Sequence, residues 1–250
     1  MTTRWQGRVL LFDLFGTVVH FAPHVPTVEV AGTRRRSTMH WLRGAVEREL
    51  PEVEYDDLLA AVMRVTEELI RSRPPHYREV PSRERFRRAL EQLGLTGEQT
   101  PALAERLSLA HMSHLAASTM LPAGHDTLLH VLGTRYRLGL VSNFDHAPTA
   151  RRILADHGIA RYFETIVISD EVGRRKPHPE IFATALKALG TSADDALFVG
   201  DSVSDDIVGA ANAHLPVVWI NAKNEALPPD VPAPQYVIAE LGELRRIVEG

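Results

Sequence analysis

The sequence predicts an α/β fold in which a parallel sheet, flanked by helices, is interrupted after its first strand. Two observations carry this prediction: β-rich runs alternate with amphipathic helical runs after about residue 121, and residues 21–120 show helical patterns with no convincing strand. Strand, helix and strand in repetition give a parallel sheet covered on both faces and joined by right-handed crossovers. We therefore expect a discontinuous α/β core (residues 1–20 and 121–250) and an all-helical insert (residues 21–120).

Six runs have the unbroken apolar character of strands that are buried on both faces. They are VLLFD (9–13), LGLVSN (138–143), ETIVIS (164–169), ALFVG (196–200), PVVWI (216–220) and QYVI (235–238). Helices of the α/β core are expected at 124–134, 146–158, 178–189 and 205–213. Helices of the insert are expected near 37–50, 56–72, 82–94 and 98–117.

Composition narrows the classes of function. A chain of 250 residues with 44% hydrophobic content can bury one large core, or one core and a smaller domain. The net charge of -4 gives no electrostatic case for nucleic acid, and the absence of cysteine excludes disulfides and thiol catalysis. Residues 1–7 hold no signal-peptide segment, and no stretch approaches the roughly 20 apolar residues of a membrane span. We expect a cytoplasmic protein without nucleic-acid or membrane partners, and the sequence leaves its oligomeric state open.

Polar residues follow the strands at the points where each strand ends. The first strand ends in Asp13, the second ends in Ser142 and Asn143, Lys176 follows the third, and Asp201 follows the fourth. Taken singly, each residue is explained as a turn former, a helix cap or a surface lysine. Ligands of open parallel sheets bind beyond the carboxyl ends of the strands. The four segments together therefore predict a site at that edge.

The ordered motifs DLFGT, VSN, RRKPHPEIF and VGDSVSDD resemble the haloacid dehalogenase superfamily of hydrolases. The resemblance covers roughly residues 8–20 and 121–222, and it is to the phosphatase-like subgroup with a helical cap inserted after the first core strand. It implies a Rossmann-like sheet and an insert that covers the site and carries substrate choice. It also implies Mg2+-dependent hydrolysis of a small phosphorylated metabolite through a phospho-aspartyl intermediate on Asp13.

An aspartate can attack phosphorus and form a covalent intermediate that water then hydrolyses. Because the carboxylate and the phosphoryl group repel each other, a divalent cation is needed between them, and Mg2+ prefers oxygen ligands. The resemblance implies that Mg2+ is bound by Asp13, Asp201 and the backbone carbonyl of Phe15. It also implies that Asp206 orients the water ligands of the metal. Asp205 fits the spacing of the motif less well.

The remaining residues of the motifs suit an anionic substrate. Thr17, Ser142 and the backbone N–H of Asn143 can bind phosphate oxygens, and Lys176 can offset the charge of both Asp13 and the phosphoryl group.

Phe15 departs from the pattern of the family. The family's phosphatases usually have a second aspartate at this position, which acts as a general acid and base worth roughly 10²–10⁴ in rate. Phenylalanine can do neither, so two alternatives stay open: a 2-haloacid dehalogenase, whose halide needs no proton, and a catalytically silent binding protein. The metal-free dehalogenases have a Ser-Asn type segment where this chain has Asp201. A silent protein would need none of the retained polar residues.

Arginines of the insert are candidates for substrate contacts. Arg34, Arg35 and Arg36 lie early in the insert, and guanidinium suits carboxylate and phosphate, so we expect one of them to recognise an anion. The arginines of residues 71–88 are expected to form a solvated helix surface. Paired histidines such as His111 and His114 are expected to pack rather than bind metal.

Overall fold

The computed structural model describes residues 5–249, so residues 1–4 and 250 of the expected α/β core lie outside the described residues. Its strands are β1 (Val9–Phe12), β2 (His20–Phe21), β3 (Thr27–Val30), β4 (Thr33–Arg36), β5 (Thr119–Met120), β6 (Arg137–Ser142), β7 (Thr165–Ile168), β8 (Ala196–Gly200), β9 (Val217–Ile220) and β10 (Tyr236–Ile238). Its helices are α1 (Arg43–Glu49), α2 (Tyr55–Ser72), α3 (Ser82–Gln92), α4 (Thr100–Ala117), α5 (His125–Gly133), α6 (Ala147–Asp156), α7 (Ser169–Val172), α8 (Pro179–Ala188), α9 (Val208–Asn212) and α10 (Leu244–Val248). No helix among these residues is both long and apolar enough to cross a lipid bilayer.

The six predicted core strands form one parallel sheet, in the order β10-β9-β8-β1-β6-β7. β1 lies between β6 and β8, and its Phe12 is opposite Leu140 and Val199. The chain leaves β1 at Asp13, whose N–H donates to the Val199 carbonyl at 2.9 Å. The segments that follow β1, β6 and β8 therefore meet at one edge of the sheet, as the sequence predicts.

Both faces of the sheet are covered, which explains the unbroken apolar runs. Because successive strand residues point to opposite faces, Leu10 and Phe12 pack with residues of α5, α6 and α10. Val9 and Leu11 pack on the other face with residues of α8 and α9. The fold class expected from the sequence is confirmed.

The insert contains helices α1 to α4 and a hydrophobic cluster of its own, in which Phe86, Leu90 and Leu107 are fully buried. The four predicted helical regions are present, although the first begins as a 3₁₀ turn over Met39–Leu42 before α1. The boundaries of the insert at residues 20 and 121 stay a prediction.

The expectation that the insert contains no strand is wrong. β3 and β4 form an antiparallel hairpin in which Thr27 is opposite Arg36 and Val30 is opposite Thr33. Ala31 and Gly32 form its two-residue turn with φ angles of 49° and 72°, as such hairpins require. The sequence hid the hairpin because the turn is Ala-Gly rather than Asn-Gly and β4 is polar.

The insert contacts the α/β core at several places, which include the packing of α4 against α6 and the backbone hydrogen bonds of two segments. β2 and β5 pair antiparallel, with His20 opposite Met120, where the chain enters and leaves the insert. The segment before α3 lies along a core loop, because the Arg175 N–H donates to the Tyr77 carbonyl at 2.9 Å and the Glu79 N–H donates to the Gly173 carbonyl at 3.1 Å. That core loop is the one that carries Lys176.

Candidate active site

Lys176 lies at the centre of the polar residues beyond the sheet edge, and it is 1% exposed. Its Nζ donates to Asp13 Oδ1 at 2.5 Å and to the Val141 carbonyl at 3.0 Å, and it lies 2.7 Å from Asp206 Oδ1. An ammonium group has three N–H donors, so these contacts can occupy all of them. Lys176 is therefore a buried counter-ion and not the surface lysine that its motif alone would suggest.

The side chain of Asn143 holds the loop of Lys176. Its Oδ1 accepts from the Lys176 N–H at 2.7 Å, and its Nδ2 donates to the Lys176 carbonyl at 3.0 Å. The sequence pointed only to the backbone N–H of Asn143, and this role of the side chain was missed. An amide directly after a strand end is the only local signal, because its partner lies 33 residues away.

Three carboxylates lie beside this lysine. Ligand oxygens of Asp13, Asp201 and Asp206 all lie within 4.8 Å of one another. Gly16 makes the approach possible: it has a φ of +83°, and a Cβ there would lie 2.3 Å from Asp201 Oδ2. The turn after β1 therefore requires glycine for both its conformation and its closeness to Asp201.

The electrostatics of the cluster favour a cation. Burial raises the pKa of Asp13 to about 7, although Lys176 opposes the shift. Burial, followed by repulsion from Asp13 and Asp206, raises the pKa of Asp201 to about 8. Burial also raises the pKa of Asp206. Burial by itself would lower the pKa of Lys176, but Asp13 and Asp206 reverse this and raise it. One lysine thus faces three carboxylates, and a divalent cation bound by oxygen fits the remaining negative charge.

Asp206 has a further contact that the sequence did not indicate. It is fully buried, it accepts from the Ser202 N–H at 2.9 Å, and it is the second acid beside Lys176. Asp205 lies outside the cluster, and its N–H donates to Ser202 Oγ at 3.3 Å. Asp206 is thus placed to orient the lysine, and its role toward the waters of a metal stays a prediction.

Two hydroxyl groups near the cluster have no partner. Thr17 and Ser142 are fully buried, and neither hydroxyl makes a hydrogen bond within residues 5–249. A buried hydroxyl without a partner costs about 1–3 kcal/mol. Both residues stand at strand ends, Thr17 after β1 and Ser142 at the end of β6. Each hydroxyl is therefore a donor that the described residues leave unused.

Phe15 lies in a stack of three aromatic rings. Its ring centroid is 5.3 Å from that of Phe21 and 5.2 Å from that of Phe144, with interplanar angles of 13° and 26°. The stack joins the turn after β1, the strand β2 and the loop after β6. The side chain at the position of the family's second aspartate therefore serves packing, which the sequence did not reveal. The metal contact of its carbonyl stays a prediction.

The three arginines of the hairpin differ in the contacts that their side chains make. Arg34 donates to Thr27 Oγ1 at 3.0 Å and is exposed. Arg36 donates to the carbonyls of Pro23, at 3.1 Å, and of Val25. Arg35 and Arg36 both border a cavity of about 190 Å³ between the insert and the core. Of these two, Arg36 donates to backbone carbonyls, and the Arg35 guanidinium makes no hydrogen bond within residues 5–249.

Comparison with known proteins identifies the family of the chain. The family model of the haloacid dehalogenase-like hydrolases matches residues 8–214. The chain therefore belongs to the haloacid dehalogenase-like hydrolase family.

Two relatives and one solved structure show the extent of the similarity. The chain is 29% identical over 212 residues to a glyceraldehyde 3-phosphate phosphatase of Pyrococcus abyssi, which covers 85% of this chain and 80% of the relative. It is 32% identical over 167 residues to a phosphoserine phosphatase of Thermus thermophilus, which covers 66% of this chain and 64% of the relative. A 2-haloacid dehalogenase from Pseudomonas syringae shares the fold with a TM-score of 0.72 at 22% identity, over 97% of this chain and 98% of that chain.

The carboxylate cluster makes metal binding measurable by stability. Adding millimolar Mg2+ to metal-free protein should raise its Tm, because an ion that binds only the folded state stabilises it. Asp201→Asn should reduce this shift, since a ligand and a repelling charge are both lost. Asp194→Asn, an exposed aspartate before β8, should keep the full shift. A Tm that ignores Mg2+, or an undiminished shift in Asp201→Asn, would contradict the assignment.

Proposed function

We propose that the protein is a Mg2+-dependent phosphatase that acts on a small phosphorylated metabolite through a covalent intermediate on Asp13. The observation that carries the proposal is the meeting of three carboxylates, Lys176 and two unpartnered hydroxyls at one sheet edge. The relatives named as phosphatases of glyceraldehyde 3-phosphate and phosphoserine support the reaction class.

The donor set suits the metal that the family implies. Asp13, Asp201 and the carbonyl of Phe15 would hold Mg2+, with Asp206 behind them, and the bound ion would reduce the repulsion between the carboxylates and the phosphoryl group. Lys176 holds Asp13 Oδ1 at 2.5 Å, which leaves Oδ2 for attack. The charge of the lysine also favours an anionic phosphoryl group beside an anionic nucleophile.

The covalent step then proceeds on the residues of the chain. Asp13 Oδ2 attacks phosphorus, and the bond from phosphorus to the leaving oxygen breaks, which gives an acyl phosphate. Ser142 and Thr17 donate hydrogen bonds to the phosphoryl oxygens. Water then attacks phosphorus, releases inorganic phosphate and restores the carboxylate of Asp13. Asn143 holds the backbone of Lys176 through two hydrogen bonds and so keeps the lysine in position during both steps.

Position 15 holds phenylalanine, so no carboxylic acid at that position can protonate the leaving group. Its proton comes from water or from a residue of the insert, or the natural substrate has a good leaving group. The same absence suits a 2-haloacid dehalogenase, because halide leaves without a proton. Asp201 argues for the phosphatase, since it lies within the carboxylate cluster that a cation would neutralise.

The decisive assay measures phosphate and halide release from small substrate panels, with Mg2+ and with a chelator. Asp13→Asn should abolish phosphate release and keep the circular dichroism of the parent, because the amide is close in shape and cannot attack phosphorus. Asp194→Asn serves as the matched control and should stay active. Halide release that ignores the chelator would replace our proposal with the dehalogenase, and activity in Asp13→Asn would remove Asp13 as nucleophile.

The aromatic residue at position 15 should leave a signature in a leaving-group series. Without a general acid, kcat/KM should rise steeply as the leaving group becomes more acidic, so aryl phosphates should far outrun alkyl phosphates. Phe15→Asp should help alkyl phosphates most, by at most the roughly 10²–10⁴ of general acid catalysis.

The gain from Phe15→Asp is limited because the new carboxylate replaces a ring that stacks on Phe21 and Phe144. Phe15→Leu is the matched control, since it loses the stack without adding an acid. A shallow leaving-group dependence in the parent would show that another residue already supplies the proton.

A further inference from the structure

Arg73 is a half-buried cation at the end of α2. Its guanidinium has no hydrogen bond and no ion pair in the part of the chain that the structure describes. Burial, followed by the charge of Arg175, lowers its pKa to about 10, while the charges of Glu79 and Asp205 oppose the shift and that of Arg35 adds to it. Arg73 therefore stays charged at neutral pH, and a buried charge without a partner is costly.

Glu79, one of the two acids whose charges act on Arg73, is already engaged. Glu79 is 3.0 Å from Arg175 and accepts from Ser169 Oγ, so its carboxylate is shared between two other donors. Both Glu79 and Arg175 border the cavity of about 350 Å³ that Arg73 lines. Asp205 also acts on Arg73 through its charge. Neither Glu79 nor Asp205 forms an ion pair with the Arg73 guanidinium among residues 5–249.

A second ion pair in the same cavity is equally complete. Arg85 lies 3.0 Å from Asp145 across the contact between the insert and the core. The Nε groups of Arg85 and Arg175 are buried and make no hydrogen bond within residues 5–249. The cavity is therefore lined by positive charge, which suits a ligand that brings acceptor oxygens.

This cavity adjoins the site of the proposed reaction. Its Arg175 directly precedes Lys176, and its Asp145 lies two residues after Asn143. It shares Arg85 and Asp145 with the cavity of about 190 Å³ that Arg35 borders. The two cavities thus lie along the loops that carry Lys176 and Asn143.

Part of the wall of the smaller cavity is apolar. Val62, Met63 and Met112 line it with apolar surface. His111 is buried there, and burial, followed by the charge of Arg85, lowers its pKa to about 3, so its ring is neutral. Arg35, Arg73 and Arg78 border the two cavities and form no side-chain hydrogen bond or ion pair within residues 5–249. Of these, Arg35 and Arg73 lie close enough for their charges to interact.

We propose that Arg73 and Arg35 bind a second anionic group of the substrate, a carboxylate or a phosphate carried by the leaving group. The inference rests on the proposed function, because it defines the substrate class of that site. The substrate is then a phosphate monoester with negative charge at both ends. The insert selects it by charge at the end that does not react, which is the kind of contact that lowers KM.

The test compares substrates that differ only in the second charge. Alkyl phosphates are paired with ω-carboxyalkyl phosphates and with bisphosphates of the same chain length, over several lengths. The parent should prefer a charged member at the length that spans the two sites. Whether the carboxylate or the phosphate is favoured identifies the source of the anion, and the absence of any preference at every length would overturn the proposal.

Variants separate the two arginines from general charge. Arg73→Gln and Arg35→Gln should each lower kcat/KM for the favoured substrate with two anionic groups by roughly 10- to 100-fold, mostly through KM. They should leave the alkyl phosphate, which lacks the second anionic group, within about twofold. Arg71→Gln removes the same charge from an exposed position two residues away and should change neither. An equal loss of kcat/KM on substrates with and without the second anionic group would show a structural role and contradict the proposal.

A binding measurement separates this inference from the proposed function. Malonate should raise the Tm of the parent and of Arg71→Gln, but not that of Arg73→Gln, whether or not phosphate is released. Failure of every phosphate substrate together with this pattern would overturn the phosphatase and keep the anion site. A malonate shift that is equal in Arg73→Gln would overturn the anion site.

Discussion

The contact between Lys176 and the buried carboxylates governs the rest of the site. Breaking a buried ion pair costs about 3–5 kcal/mol, because the partner is left charged in a poor solvent. Here one ammonium lies beside both Asp13 and Asp206 and also bonds the Val141 carbonyl. The lysine thereby fixes the orientation of the proposed nucleophile, and the β6 strand end fixes the lysine through Asn143. The chemistry and the packing depend on the same few atoms.

Negative and positive charge are separated between the two parts of the molecule. Among residues 5–249, the core edge holds three clustered carboxylates beside one lysine, and Arg73 and Arg35 of the insert form no ion pair. Each excess is unfavourable alone, and each fits a ligand of the opposite sign. A substrate with an anion at each end, together with a bound cation, would compensate both.

The α/β core was predictable because its signals are local. An unbroken apolar run gives a buried strand, and the residues after each strand lie at one edge, so Asp13, Ser142, Lys176 and Asp201 could be brought together on paper. The hairpin of the insert escaped because its strands are polar and its turn is Ala-Gly.

The features that depend on distant partners could not be predicted. Nothing near Phe15 in the sequence points to Phe144, and nothing near Asn143 points to Lys176. Arg73 and Arg85 belong to a run that was expected to be solvated surface, and this expectation is wrong for both. Arg73 is half-buried beside a cavity and Arg85 forms an ion pair with the core. The cytoplasmic location stays a prediction.

The most direct test of the account measures the thermal unfolding of Lys176→Met and of the parent, each with Mg2+ and with a chelator. If Lys176 is the counter-ion of the carboxylate cluster, the metal-free variant should be less stable than the parent by about 3–5 kcal/mol. Mg2+ should then stabilise the variant by more than it stabilises the parent, since the cation would compensate for the missing charge. Equal metal-free stabilities, or an equal gain from Mg2+ in both proteins, would contradict the account.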